Sequence, residues 1–182
     1  MEFLRPAGAW QGGNYLNSSL IFILVVPFIE ELLKFGAVMA VGFPSKKFNQ
    51  IIDGTIYAVA VSLGFVMIEN FFYFAEFYSR GTAYLVEGMI LRTFSSTFLH
   101  TLSTGWLGYW IGRAKFDKTR RLKFLLVGFF FAVMIHAAFN FFLLTSSYFF
   151  VIFTLLITAD LLFVRLRAHK TQIIWKKNRA KR

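Results

Sequence analysis

The chain contains no cysteine, and only 9 of its 182 residues are acidic, against 20 Lys and Arg. Without cysteine there is no disulfide framework, and any metal site has to be built from His, Asp or Glu. An internal repeat, a low-complexity tract and a Gly-rich phosphate loop with its Lys are all missing. The first 19 residues carry Pro6, Gly8, Gly12, Gly13, Asn14, Asn17 and Ser18, so they read as a polar lead-in and not as a signal peptide with a basic start and an apolar middle. What the sequence does have is apolar mass: 57% of residues are hydrophobic and 20% aromatic. That excludes disorder and an ordinary soluble domain, and predicts a membrane protein.

Apolar runs cover about 20–41, 51–76, 88–112, 123–144 and 147–166. Each is close to the roughly 20 residues that a helix needs to cross about 30 Å of hydrocarbon. The predicted fold is therefore all-α, a polytopic bundle of about five transmembrane helices, with the lead-in 1–19, a helical core over 20–166 and a basic tail over 167–182. Lys46 and Lys47 lie in one connection, and six basic residues from Arg113 to Lys123 lie in another. Eight more follow from Arg165, while Arg5 and Arg80 alone fall on the opposite side. By the positive-inside rule this places the N-terminus outside and the C-terminus in the cytoplasm of a multi-pass protein. Topology and attraction to anionic lipid head groups account for the charge of +11, so no nucleic-acid partner is expected.

Glu30, Glu31, Lys34, Glu69, Arg92, His100, His136 and Asp160 fall within the apolar runs. A central charge costs roughly 2.5 to 3.5 kcal/mol to insert, so residues of this kind have to be paired or used. At about 1.5 Å of rise per residue, Glu30, Glu31, His100 and His136 share one layer from three helices, and Glu69 lies roughly 9 Å outward of the centre of its span. Glu30 to Lys34 is i to i+4 and Glu31 to Lys34 is i to i+3. Lys34 is thus expected to hold one carboxylate while the other faces the site as a base for water. Pro27, one turn earlier, removes a backbone hydrogen bond and predicts a bend. His136 and Asn140 stand one turn apart on one face. Arg92 is placed to pair with Glu69, and Asp53 with Gly54 to cap the second helix. Asp160, near Arg165, reads as a structural pair.

In order along the chain, E-E-x-x-K (Glu30, Glu31, Lys34) is followed by D-G-x-x-Y (Asp53, Gly54, Tyr57) and G-F-x-x-x-E-N-x-x-Y (Gly64, Phe65, Glu69, Asn70, Tyr73). Arg92, His100 and H-x-x-x-N (His136, Asn140) complete the set. Over about 28–142 this closely resembles the PrsW family of intramembrane proteases, relatives of the CAAX prenyl proteases and bacteriocin-processing membrane peptidases. Family members usually carry further N-terminal membrane helices.

The resemblance implies an endopeptidase of a prokaryotic plasma membrane that performs site-1-type cleavage of a membrane-anchored protein such as an anti-sigma factor. It implies Glu30 and Glu31 as the water-activating pair, His100 and His136 as metal ligands or hydrogen-bond donors, and Asn140 as the oxyanion stabiliser. Lys34, Glu69, Asn70 and Arg92 support them. Zinc or another divalent metal would sit on His100, His136 and Glu69, although the zinc signature H-E-x-x-H is absent. Without a metal, a glutamate would be the base while His and Asn hold the oxyanion. The same intramembrane Glu, His and Arg would equally suit a proton-coupled transporter, or a non-catalytic bundle held together by its polar cluster.

Overall fold

The computed structural model describes residues 19–145 and nine further positions between 153 and 170. The described elements are all helical, with no strand among the described residues. The first, α1, opens as a π-type turn at Ile21–Val25, continues as an α-helix over Val26–Ala37 and closes in a second π-type turn at Val38–Gly42. The expected bend at Pro27 takes the form of a change in register. Val26 N–H bonds the Ile21 carbonyl five residues back, immediately before a residue with no N–H to give.

Helix α2 spans Ile51–Ser79. Its start is fixed as the sequence predicts, because Asp53 Oδ2 accepts the N–H groups of Asn49 at 2.8 Å and Gln50 at 2.7 Å. Gly81, at φ 115°, makes the tight turn that only glycine adopts without strain and leads into α3, Thr82–Phe116. Asp117 ends α3 and accepts the Arg120 N–H at 3.0 Å, opening α4 at Arg121–Thr145. That backbone bond and the Arg120 guanidinium hold the Asp117 carboxyl below the usual carboxylate range.

Helices α2 and α3 meet backbone to backbone. A Cβ on Gly54 would strike the Gly108 carbonyl oxygen and come within 2.7 Å of Gly112 N, and one on Gly112 would strike the Ile51 carbonyl. Gly54 therefore does more than flank the predicted cap. With Gly108 and Gly112 it sets the closest approach in the bundle, in the manner of small residues between membrane helices.

The distribution of polarity is the reverse of a soluble protein's. Glu31, Lys34, Arg92, Ser103, Thr104 and His136 are buried, while Met67, Phe71 and Phe94 are 72%, 70% and 75% exposed. Two of the four described helices, Ile51–Ser79 and Arg121–Thr145, are long and apolar enough to cross a membrane. The fifth run, 147–166, lies largely outside the described residues, as do the lead-in to residue 18, Arg165 and most of the basic tail. Val164 and Ala168, which are described, pack against Ile51 and Tyr109.

Candidate active site

The i, i+3 and i, i+4 spacing in α1 turns Glu30, Glu31 and Lys34 toward the bundle axis. Lys34 Nζ lies 2.8 Å from Glu31 Oε1 and 3.7 Å from Glu30 Oε2. Glu31 is fully buried and saturated. Its Oε1 also accepts Ser103 Oγ at 3.0 Å and lies 3.1 Å from His136 Nδ1, and its Oε2 accepts Thr104 Oγ1 at 3.0 Å. A carboxylate holding four donors has its lone pairs engaged by the frame around it.

Glu30 is different. Its Oε2 is buried with no hydrogen-bond partner, 3.9 Å from His100 Nδ1 and 3.8 Å from His136 Nε2. The two imidazoles meet edge to face, with centroids 4.8 Å apart. Their hydrogen bonds follow from their partners. A carboxylate only accepts, so His136 donates Nδ1–H to Glu31, with Nε2 turned toward Glu30. Lys34 Nζ, 2.6 Å from His100 Nδ1, can only donate, so His100 accepts there and gives Nε2–H to Glu69 Oε2 at 3.1 Å. Glu69 Oε1 is in turn paired with Arg92 at 2.5 Å, and the guanidinium lies 3.2 Å from the centre of the Tyr73 ring. These groups surround a cavity of about 210 Å³ whose apolar walls include Phe22, Val26, Leu99 and Phe139.

The sequence profile described as PrsW family intramembrane metalloprotease matches residues 4–165. The chain belongs to the PrsW family. Among curated relatives, Protease PrsW of Shouchella clausii is 32% identical over 120 residues, which is 66% of this chain and 53% of that protein. The Clostridioides difficile protein of the same name is 33% identical over 132 residues, 70% and 54%. That of Bacillus subtilis is 28% identical over 137 residues, 75% and 58%. The chain thus spans little more than half the length of these relatives. No solved structure matches it.

The description of PrsW proteins as metalloproteases raises the question of whether these residues suit a metal. Glu30, His100 and His136 bring ligand atoms within 4.8 Å of one another. Two imidazoles with a carboxylate is a donor set zinc commonly takes. Glu30 Oε2, buried with no hydrogen-bond partner, lies 3.8 Å from His136 Nε2, as two ligand atoms of one site would. Charge agrees: Lys34 and Arg92 face three carboxylates, which leaves one negative charge over. Glu31 orients His136 and Glu69 orients His100 through one ring nitrogen each, as carboxylates orient metal-bound histidines. The donor set fits, with the condition that the Lys34 ammonium, 2.6 Å from His100 Nδ1, gives up that nitrogen to the metal.

Several expectations change in detail. The carboxylate that converges with both imidazoles is Glu30, whereas Glu69, the ligand expected from sequence, lies behind His100 and orients it. Asn70 does not line this cavity. It lines a separate groove between α2 and α3 with Thr93 and Thr97. Asn140 is at the cavity wall, but its Nδ2 donates to the Phe22 carbonyl at 2.9 Å. Asp160 lines a different recess with Leu102 and Trp106. Ser103 and Thr104 were missed by sequence reasoning. The signal was present, for they stand three and four residues after His100 on the same helical face.

Proposed function

We propose that the chain is an intramembrane endopeptidase that hydrolyses a peptide bond of a membrane-anchored protein substrate. The observation that carries this reading is Glu30 Oε2, a buried carboxylate oxygen with no hydrogen-bond donor, facing two oriented imidazoles in a cavity walled by apolar side chains. Such a carboxylate can take a proton from a water admitted to the cavity and pass it to the leaving amine. Glu31 keeps the His136 tautomer and ring orientation fixed while this happens, and Glu69 with Arg92 does the same for His100.

Glu30, His100 and His136 would hold a divalent cation such as zinc, which when bound supplies Lewis-acid polarisation of water and of the scissile carbonyl. The reading extends to five spans with the N-terminus outside, in a bacterial plasma membrane. It takes a single-pass anti-sigma-type protein as substrate, with a site-1-type cut on the extracytoplasmic side, toward which Glu69 and Asn140 lie.

The test is cleavage of a single-pass membrane substrate by purified protein in lipid vesicles. Wild type should cut near the outer end of the substrate helix, Glu30→Gln and His136→Ala should not, and zinc should restore chelated enzyme. Proton-driven solute uptake that depends on Glu30, without any cleavage, would replace this reading by transport.

A further inference from the structure

In the opening turn of α1, hydrogen bonds run five residues back, from Val26 N–H to the Ile21 carbonyl. The next bond in that register would join residue 27 to the Phe22 carbonyl. Residue 27 is proline and has no N–H, so the Phe22 carbonyl is orphaned inside the bundle. Asn140 Nδ2, from α4, donates to that oxygen at 2.9 Å. One turn before Asn140 on the same helix, His136 Nδ1 holds Glu31, and Glu31 stands nine positions after Phe22 on α1. Helices α1 and α4 are therefore tied at two points, with Glu30 and the cavity between the ties.

We infer that Asn140 is a positioning residue: its amide replaces the backbone donor that Pro27 lacks, latches the π-type turn of α1 to α4 and so aims Glu30 at the imidazoles. One of the two amide N–H groups is held by the main-chain carbonyl, and through that bond Asn140 acts on α1. The effect of the latch on cleavage rests on the proteolytic reading above, whereas its effect on helix seating stands without it.

The relation between Asn140 and Pro27 makes the inference testable by rescue. Cleavage kinetics and thermal unfolding are measured for the full chain in lipid or mild detergent, for wild type, Pro27→Ala, Asn140→Leu and the double variant. Asn140→Leu should lower kcat about 10- to 100-fold, the range for one buried hydrogen bond, with KM nearly unchanged. Pro27→Ala should stay near wild type. In the double variant, the new N–H at residue 27 meets the Phe22 carbonyl, and both kcat and the unfolding temperature should return most of the way to those of Pro27→Ala.

A double variant as slow as Asn140→Leu would overturn the inference and give the amide to the reacting atoms. A loss of unfolding temperature with unchanged kcat per folded molecule would also overturn it, leaving only a structural bond. If wild type cleaves no substrate, the proteolytic reading fails and the unfolding cycle alone decides, with additive losses counting against the latch. Asn140→Ala in the same cycle keeps the test intact where leucine does not pack.

Discussion

Glu31 accepts from Lys34, Ser103, Thr104 and His136 on three helices, while Glu30, the preceding residue, keeps Oε2 buried and unbonded 3.8 Å from His136 Nε2. Adjacent positions on a helix point about 100° apart, so one carboxylate is built into the frame and the other faces the cavity.

The two glutamates should therefore fail differently when made neutral. Glu30→Gln removes a carboxylate whose Oε2 accepts no hydrogen bond and lies 3.7 Å from Lys34 Nζ. It should leave the unfolding temperature near wild type while cleavage falls about 100- to 10,000-fold. Glu31→Gln takes the charge from under Lys34 and His136, and should cost about 3 to 5 kcal/mol of stability as a broken buried pair. Thermal unfolding and cleavage on the same preparations separate the two, and equal stability losses would contradict the division.

Among the described residues Lys34 is the one Lys or Arg paired with Glu31, and its side chain is wholly buried. Lys34→Met leaves that carboxylate uncompensated and should lower protein yield in the membrane and the unfolding temperature. Adding Glu31→Gln removes the stranded charge, so the double variant should be more stable than Lys34→Met alone. Melting curves in detergent read this directly.

Arg92 reaches the site through Glu69 and is held flat over Tyr73. Arg92→Gln should reduce kcat about 10- to 100-fold by loosening the carboxylate that orients His100, with the fold retained. Arg92→Lys keeps the charge but loses the planar stack, and should fall between the two. Steady-state cleavage rates order the three proteins.

Much of this arrangement is legible before any coordinates. The spacing of Glu30, Glu31 and Lys34 fixes their mutual contacts, and the rise per residue places both histidines at their depth. The Arg92–Glu69 pair and the Asp53 cap follow from the same reasoning. Sequence does not give the rotation of α1 about its axis, which decides that Glu31 is buried and Glu30 is presented. Nor does it give the five-residue register before Pro27, since helical periodicity assumes the four-residue one. The Asn140 contact with the Phe22 carbonyl is invisible for that reason. The family resemblance offers Glu69 as a further ligand or as a supporting carboxylate, and its lateral position behind His100 depends on how closely the glycines let α2 approach α3.

That approach gives a further prediction. Gly108→Ala places a methyl group 2.4 Å from the Gly54 carbonyl oxygen and 2.5 Å from the Ala58 side chain, so α2 and α3 must separate. The expected cost is about 1 to 3 kcal/mol of overpacking, with cleavage lost as Glu69 withdraws from His100. Gly36→Ala, on the open side of α1 with nothing within 4 Å, is the control and should stabilise the helix by about 0.5 to 1 kcal/mol. Unfolding temperatures of opposite sign would bear this out.

The central claim is that Glu30, His100 and His136 together form a metal-assisted proteolytic centre. It is tested most directly by determining, on one purified preparation in lipid, the zinc content per chain and the cleavage of a single-pass membrane substrate, for wild type, Glu30→Gln, His100→Ala and His136→Ala. The account predicts one zinc per wild-type chain, loss of zinc and cleavage together in the three folded variants, and recovery of chelated wild type on adding zinc. Undiminished cleavage by zinc-free wild type, or full zinc occupancy in all three variants, would contradict it.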